Sequence, residues 1–269
     1  MRLALSQYCL PELSTADFLD VVERAGWDGC ELGVMGGPRD PEDPKAMIAA
    51  ARASDVRIES VGVLRDWALP DDPDCGPRVE VLLDVAAATG APVITCVAPV
   101  RYEGMPAFDA VRASASERLA EFADLAAHAG VRLALEPVGL SSTSIGARGG
   151  IRTLAEALAV VEAAGPSVGL VLDSYNVATA GDRLEGVASV PCERIALAQV
   201  ADGLVTGSMR KLPGEGELPL AAFIAALGRA GFDGALSLEV LPTKALPDAR
   251  AFAGLALEAV RGLLPAVAA

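Results

Sequence analysis

The stretch RLALEPV (132–138) decides the fold once VGLVLDS (168–174), RIALAQV (194–200) and GALSLEV (234–240) are set beside it. Each is a short apolar run, and at or near its last position stands a side chain with an oxygen donor: Glu136, Asp173, Gln199 and Glu239. Buried strands rarely end on an acid without a partner, because an unpaired carboxylate is costly to desolvate. Working outward, four similar runs come earlier: RLALSQ (2–7), DGCELGV (28–34), RIESVGV (57–63) and PVITCVA (92–98). Helical periodicity fills the spaces between them. In STADFLDVVERAG (14–26), Ser14 caps with Asp17 three residues on, Phe18, Leu19, Val22 and Ala25 share a face, and Gly26 offers a left-handed stop. RVEVLLDVAAATG (78–90), ERLAEFADLAAHAG (117–130), TLAEALAVVEAAG (153–165), LPLAAFIAALGRAG (218–231) and ARAFAGLALEAVRGLL (249–264) read the same way. Eight strands alternating with helices predict an α/β fold, a (β/α)8 TIM barrel forming a single domain over residues 1–269. The rival, a doubly wound sheet, wants a glycine-rich phosphate loop after the first strand, where SQYCLPEL stands instead.

A barrel carries its site at the C-terminal ends of the strands, where all four oxygen donors lie. Glu136 shares a face with Ala134, while Leu133 and Leu135 point the other way; Ser237 lies below Glu239 in the same manner. Three carboxylates in one barrel mouth repel unless a cation joins them. The expected metal ligands are therefore Glu136, Asp173, Gln199 and Glu239, an oxygen donor set that suits Mn²⁺ or Mg²⁺, with Co²⁺ as a substitute. The plainer alternative is salt bridging of these acids to Arg148 or Arg210. The only histidine, His128, falls on the polar side of its helix near Asp124 and reads as a surface residue.

The loops supply the expected substrate-binding residues: Arg210 and Asp202 from ADGLVTGSMRKLPGEGELPL (201–220), Arg101 with Tyr102 after the fourth strand, and Trp67 with Arg65 after the third. PGEG (213–216) reads equally as an ordinary turn, and Trp67 as loop packing. Glu31, ending the second strand, is expected to anchor an arginine behind the site.

Composition bounds the rest. A chain of 269 residues, 52% hydrophobic, can bury a large core. Its net charge of −14 opposes nucleic acid and anionic membranes as partners. The N-terminal run is too short for a signal peptide, and no stretch approaches a membrane span. Five cysteines without CxxC spacing suit a reduced, cytoplasmic setting. A small molecule is the expected partner, and homo-oligomerisation is compatible with everything above.

With LALEP around Glu136, GLVLDSYN around Asp173, RIALAQVAD around Gln199, the RKLPGEGEL loop and SLE at Glu239, nearly the whole chain resembles the xylose isomerase-like TIM-barrel superfamily of sugar-phosphate isomerases and epimerases. The resemblance implies one divalent ion on those four residues. Ketose 3-epimerase-like members carry His where Gln199 stands and a second Glu soon after the strand-five Glu, where this chain reads PVGLSSTSIG. The Q-x-x-D pattern looks like the dehydroshikimate dehydratase-like branch, whose strand-six His is replaced here by Asn176, a further expected substrate contact. Endonuclease IV-like members need several histidines that this chain lacks. The leading expectation is an isomerase or epimerase of a small sugar, polyol ketone or related hydroxy-ketone. Glu136 and Glu239 would move the proton beside the carbonyl through a metal-stabilised enediolate. The alternative is a dehydratase (lyase) of a β-hydroxy ketone, dehydroshikimate-like or inosose-like; the third is a non-catalytic metal- or carbohydrate-binding barrel.

Overall fold

In the computed structural model, eight parallel strands close into a barrel. They are β1 (Arg2–Ser6), β2 (Gly29–Gly33), β3 (Arg57–Leu64), β4 (Val93–Val97), β5 (Arg132–Glu136), β6 (Val168–Asp173), β7 (Ile195–Val200) and β8 (Ala235–Leu238). The residues described are 1–34, 43–65, 67, 75–98, 108–139, 151–206, 209–241 and 248–265. Closure is made by β1 against β8, with Arg2 opposite Ala235 and Leu5 opposite Leu238. The helices are α1 (Thr15–Ala25), α2 (Pro44–Arg52), α3 (Cys75–Thr89), α4 (Phe108–His128), α5 (Leu154–Ala164), α6 (Ser174–Thr179), α7 (Leu220–Arg229) and α8 (Ala249–Arg261). None among the described residues is long and apolar enough to cross a membrane.

Local chemistry sets the boundaries. Ser14 accepts the Asp17 N–H at 3.2 Å to open α1, and Gly26 closes it at φ 80°. Thr153 and Glu156 form a reciprocal capping box at the start of α5. Helix α2 has no counterpart among the helical stretches read from sequence; it is only nine residues long and buries Met47 and Ala51. It is fixed by Asp43, which accepts the Lys45 N–H, and by Pro44 in its first turn. After β6 comes only the six-residue α6, followed by 3₁₀ turns at Leu184–Ser189 and Cys192–Arg194.

Strand alternation separates two apolar regions. Leu133, Leu135, Leu170, Leu172, Leu236 and Leu238 join the large core between strands and helices. Val93, Ala134, Val171, Leu197 and Ala235 form a separate plug inside the barrel. Two residues further along the same inward faces stand Thr95, Glu136, Asp173, Gln199 and Ser237, all buried. At the opposite end, Glu59 pairs with Arg2 at 2.7 Å and Arg57 at 3.0 Å. His128 sits exposed at the end of α4, its Nδ1 2.6 Å from the Asp124 carbonyl.

Candidate metal centre at the barrel mouth

Asp173 is both the last residue of β6 and the cap of α6. Its Oδ1 accepts the Asn176 backbone N–H at 2.6 Å, which leaves Oδ2 for the barrel mouth. Asn176 then reaches across to β5, donating from Nδ2 to Glu136 Oε1 at 2.6 Å. The close approach of α6 to the segment after β5 needs a glycine: a Cβ on Gly139 would lie 1.8 Å from the Asn176 carbonyl oxygen. Gln199 is paired in register with Asp173 on one side and Ser237 on the other. Glu239 follows β8, its N–H bonded to the Val200 carbonyl at 3.1 Å.

Glu136, Asp173 and Glu239 each offer a carboxylate oxygen, and these lie within 4.8 Å of one another. The alternative partner also enters this cluster. Arg210 bonds Glu239 Oε2 directly through Nη1, faces Asp173 Oδ2 at 3.4 Å, and lies 3.8 Å from Glu136 Oε1 through Nη2. Its guanidinium sits 5.6 Å from the centre of the Tyr175 ring. Salt bridging thus reaches three of the four residues and comes from one arginine; Arg148 lies outside the described residues.

One cation does not balance this site. Burial, then the charges of Glu239 and Asp173, push the Glu136 carboxyl well above its usual range. Burial likewise raises Asp173 to about 6, against the pull of Arg210 and the α6 N–H groups. Burial acting alone would weaken the Arg210 charge, but Asp173, Glu239 and Glu136 together raise its pKa and hold it protonated. Two buried acceptors, Asp173 Oδ2 and Gln199 Oε1, receive no hydrogen bond among the described residues. Orphaned acceptors beside three carboxylates fit a divalent ion held through oxygen. Glu136, Asp173, Gln199 and Glu239 are the side chains that would hold it.

Above the cluster opens a cavity of about 470 Å³, which Gln199, Asn176, Arg210 and Arg65 help to line. Tyr8, Leu32, Val63, Val97, Val138 and Leu241 supply most of its less polar wall. Two residues expected to bind substrate point elsewhere. Trp67 is fully buried and donates its indole N–H to the Val97 carbonyl at 2.8 Å, which is packing. Asp202 spends its carboxylate on the backbone N–H groups of Gly203, Gly214 and Leu218, at 2.8, 2.9 and 3.0 Å. The PGEG segment is therefore wrapped around Asp202, and this anchors the ribbon of Asp202–Gly203 and Arg210–Lys211 that delivers Arg210. Arg101 and Tyr102 lie outside the described residues. Glu31 holds no arginine among the described residues; it accepts from Gln199 and Ser60 instead. Sequence reading also passed over Tyr8, on the 3₁₀ turn Gln7–Cys9 after β1, and Ser60 and Thr95, on β3 and β4, which line the cavity.

A closed (β/α)8 barrel with an oxygen-donor cluster at the C-terminal mouth defines a class, and comparison places the chain within it. The family model described as xylose isomerase-like TIM barrel matches residues 19–256, so the chain belongs to that family. An inosose isomerase from Bacillus velezensis is 31% identical over 137 residues, 48% of this chain and 47% of that enzyme. A 3-dehydroshikimate dehydratase from Pseudomonas aeruginosa is 34% identical over 82 residues, 28% of this chain and 13% of the other. The inosose isomerase match spans about half the length of that relative. The crystal structure of an IolI protein with a bound zinc atom superposes with a TM-score of 0.80 at 21% identity, covering 98% of this chain and 96% of that one.

Proposed function

We propose that the protein is a divalent-metal-dependent isomerase or epimerase of a small hydroxy-ketone, a ketose or a cyclic polyol ketone of the inosose kind. The observation that carries this reading is the convergence of Glu136, Asp173 and Glu239 within 4.8 Å beneath a cavity of about 470 Å³. The inosose isomerase relative supports the substrate class, and the zinc-bearing neighbour supports a divalent ion. The oxygen donor set favours Mn²⁺ or Mg²⁺, with Co²⁺ as a substitute. Buried thiols at Cys9 and Cys30 support a reduced, cytoplasmic setting.

When bound, the ion supplies Lewis-acid polarisation of the substrate carbonyl. The remaining chemistry falls to the chain's own side chains. Glu239, after β8, takes the proton from the carbon beside the carbonyl; the C–H electron pair becomes the carbon–carbon double bond and the carbonyl π pair moves onto oxygen, giving an enediolate. Glu136, ending β5, returns a proton to the neighbouring carbon or to the opposite face. Asn176 holds Glu136 through its 2.6 Å bond, and Arg210 places positive charge beside both acids. The aliphatic wall keeps competing water away.

A second reading, dehydration of a β-hydroxy ketone, is favoured by the dehydroshikimate dehydratase match and by glutamine at position 199. It begins with the same proton removal and then expels hydroxide. Incubation of the Mn²⁺-loaded protein with inososes and ketoses in D₂O separates the two. Deuterium appearing at the carbon next to the carbonyl, with no ultraviolet absorbance gained, supports isomerisation. A conjugated enone band supports the lyase, and neither signal across the panel removes both.

A further inference from the structure

We propose that Glu31 is the positioning residue of the metal centre: it fixes the Gln199 amide so that its carbonyl, not its NH₂, faces the carboxylate cluster. The proposal rests on the metal-dependent reading above and adds to it the reason a glutamine can serve on β7.

An amide offers a donor at one end and an acceptor at the other, and only its surroundings decide which end points where. Glu31 decides it here. Gln199 Nε2 donates to Glu31 Oε1 at 3.1 Å and to Oε2 at 3.3 Å, across the barrel from β7 to β2. Both Glu31 oxygens accept from the Gln199 amide and Oε2 accepts from Ser60 as well, so a reversed amide would set its oxygen against oxygens already turned toward donors. Glu31 is itself held, because Ser60, its register partner on β3, donates to Oε2 at 2.7 Å. Glu31, Ser60 and Gln199 are all buried, which leaves little room for another arrangement. The consequence is visible at the other end of the amide. Gln199 Oε1 is buried and accepts nothing among the described residues, beside Asp173 to which Gln199 is paired in register. An unpaired carbonyl on the residue in register with Asp173 is a ligand set in place before any ion arrives.

Supporting residues of this kind are commonly worth about 10–100-fold in metal affinity. The test is Mn²⁺ binding by calorimetry and by electron paramagnetic resonance on wild type, Glu31→Gln, Ser60→Ala and the exchange variant Glu31→Gln/Gln199→Glu. A glutamine at position 31 can donate as well as accept, so it no longer forbids the reversed amide. Glu31→Gln is expected to bind Mn²⁺ on the order of 10–100-fold more weakly, and Ser60→Ala to shift the same way by less. The exchange variant is expected to regain tight binding, because the amide now on β2 donates to the carboxylate now on β7 and the two groups have traded places. A carboxylate at 199 can strengthen binding by itself, so Gln199→Glu alone is the control: with Glu31 still opposite, two acids face each other and it is expected to bind more weakly than the exchange variant, while equal binding by the two overturns the inference. Glu31→Gln binding within twofold of wild type while wild type binds well overturns the inference and leaves the metal site standing. Weak binding by the exchange variant, with melting as cooperative as wild type, also overturns it. A wild type that binds no ion removes the inference together with the metal-dependent reading. A wild type that binds tightly but turns over no hydroxy-ketone removes only that activity.

Discussion

Replacing Arg210 by Met tests the electrostatic reading of the barrel mouth most directly. The Arg210 side chain is 9% exposed and touches Glu239, Asp173 and Glu136, while Met keeps an apolar stem near Tyr175. Removing one partner of a buried ion pair leaves uncompensated charge and costs roughly 3–5 kcal/mol. For a domain of this size each kcal/mol moves the melting temperature by about 2–4 °C, so a drop of roughly 10 °C is expected at pH 8 without metal. The drop depends on pH. An acid whose pKa is raised in the folded state keeps a proton that the unfolded chain releases, so its contribution falls as pH climbs from the unfolded value to the folded one. For Asp173 in the wild type that window runs from 3.8 to about 6, and Glu136 shifts in the same direction. Loss of Arg210 pushes both higher. Below pH 5 Asp173 and Glu136 are protonated and the variant should melt within a few degrees of wild type, a gap of order 1 kcal/mol. Millimolar Mn²⁺ at pH 8 should restore most of the loss, and Arg210→Met should bind the ion more tightly than wild type, because a competing cation has gone. Differential scanning fluorimetry from pH 5 to 8, with and without Mn²⁺, reads all of this. Equal melting temperatures at pH 8, or the same deficit at pH 5 and pH 8, would refute the argument.

Three further outcomes follow from the same geometry. Glu136→Gln and Glu239→Gln should each lower turnover by about 10²-fold or more, since a missing general acid or base costs that much; appreciable activity in both removes the proton-transfer assignment. Asp173→Asn should lose the ion by elemental analysis yet melt close to wild type, because Asn remains a good cap for α6, whereas Asp173→Ala gives up about 1 kcal/mol of capping as well. A Cβ at Gly216 would lie 2.1 Å from Asp202 Oδ1, so Gly216→Ala should disorder the ribbon that carries Arg210. Its signature is a raised KM and faster proteolysis in the 203–218 loop, and unchanged kinetics would show that Arg210 does not depend on that loop.

The barrel could be read from sequence because its period is regular. Each strand is an apolar run, and most of the long helices stop at glycine just before the next strand, as α1 does at Gly26. The acids at 136, 173 and 239 stood out because an ionisable residue inside an apolar run breaks a strong pattern. Asp202 and Trp67 were misplaced for a shared reason. Both have the right chemistry in the right loops, but a carboxylate satisfied by three backbone N–H groups, and an indole bonded to a strand carbonyl, are tertiary facts. Glu31 shows the reverse. Its position at a strand end was legible, yet its partner lies 168 residues away on the far side of the barrel. No local pattern pairs an acid on β2 with an amide on β7; only closure of the sheet brings them together.

Charge balance explains why the four elements of this mouth belong together. Glu136, Asp173 and Glu239 carry three negative charges when ionised, and Arg210 returns one. A divalent cation cancels the remaining two, which neither a monovalent ion nor a second arginine would do. Glu31 is a fourth buried acid at this mouth and is not among the residues that would hold the ion. Instead it accepts from Ser60 and Gln199, and burial, reinforced by the charge of Glu239, raises it to about 7. Histidine on β7 would place a neutral ring nitrogen against the ion and need no such partner. Glutamine requires one, because its amide has two ends. The acid on β2 and the amide on β7 are thus one device, and replacing either alone is expected to cost more than exchanging both.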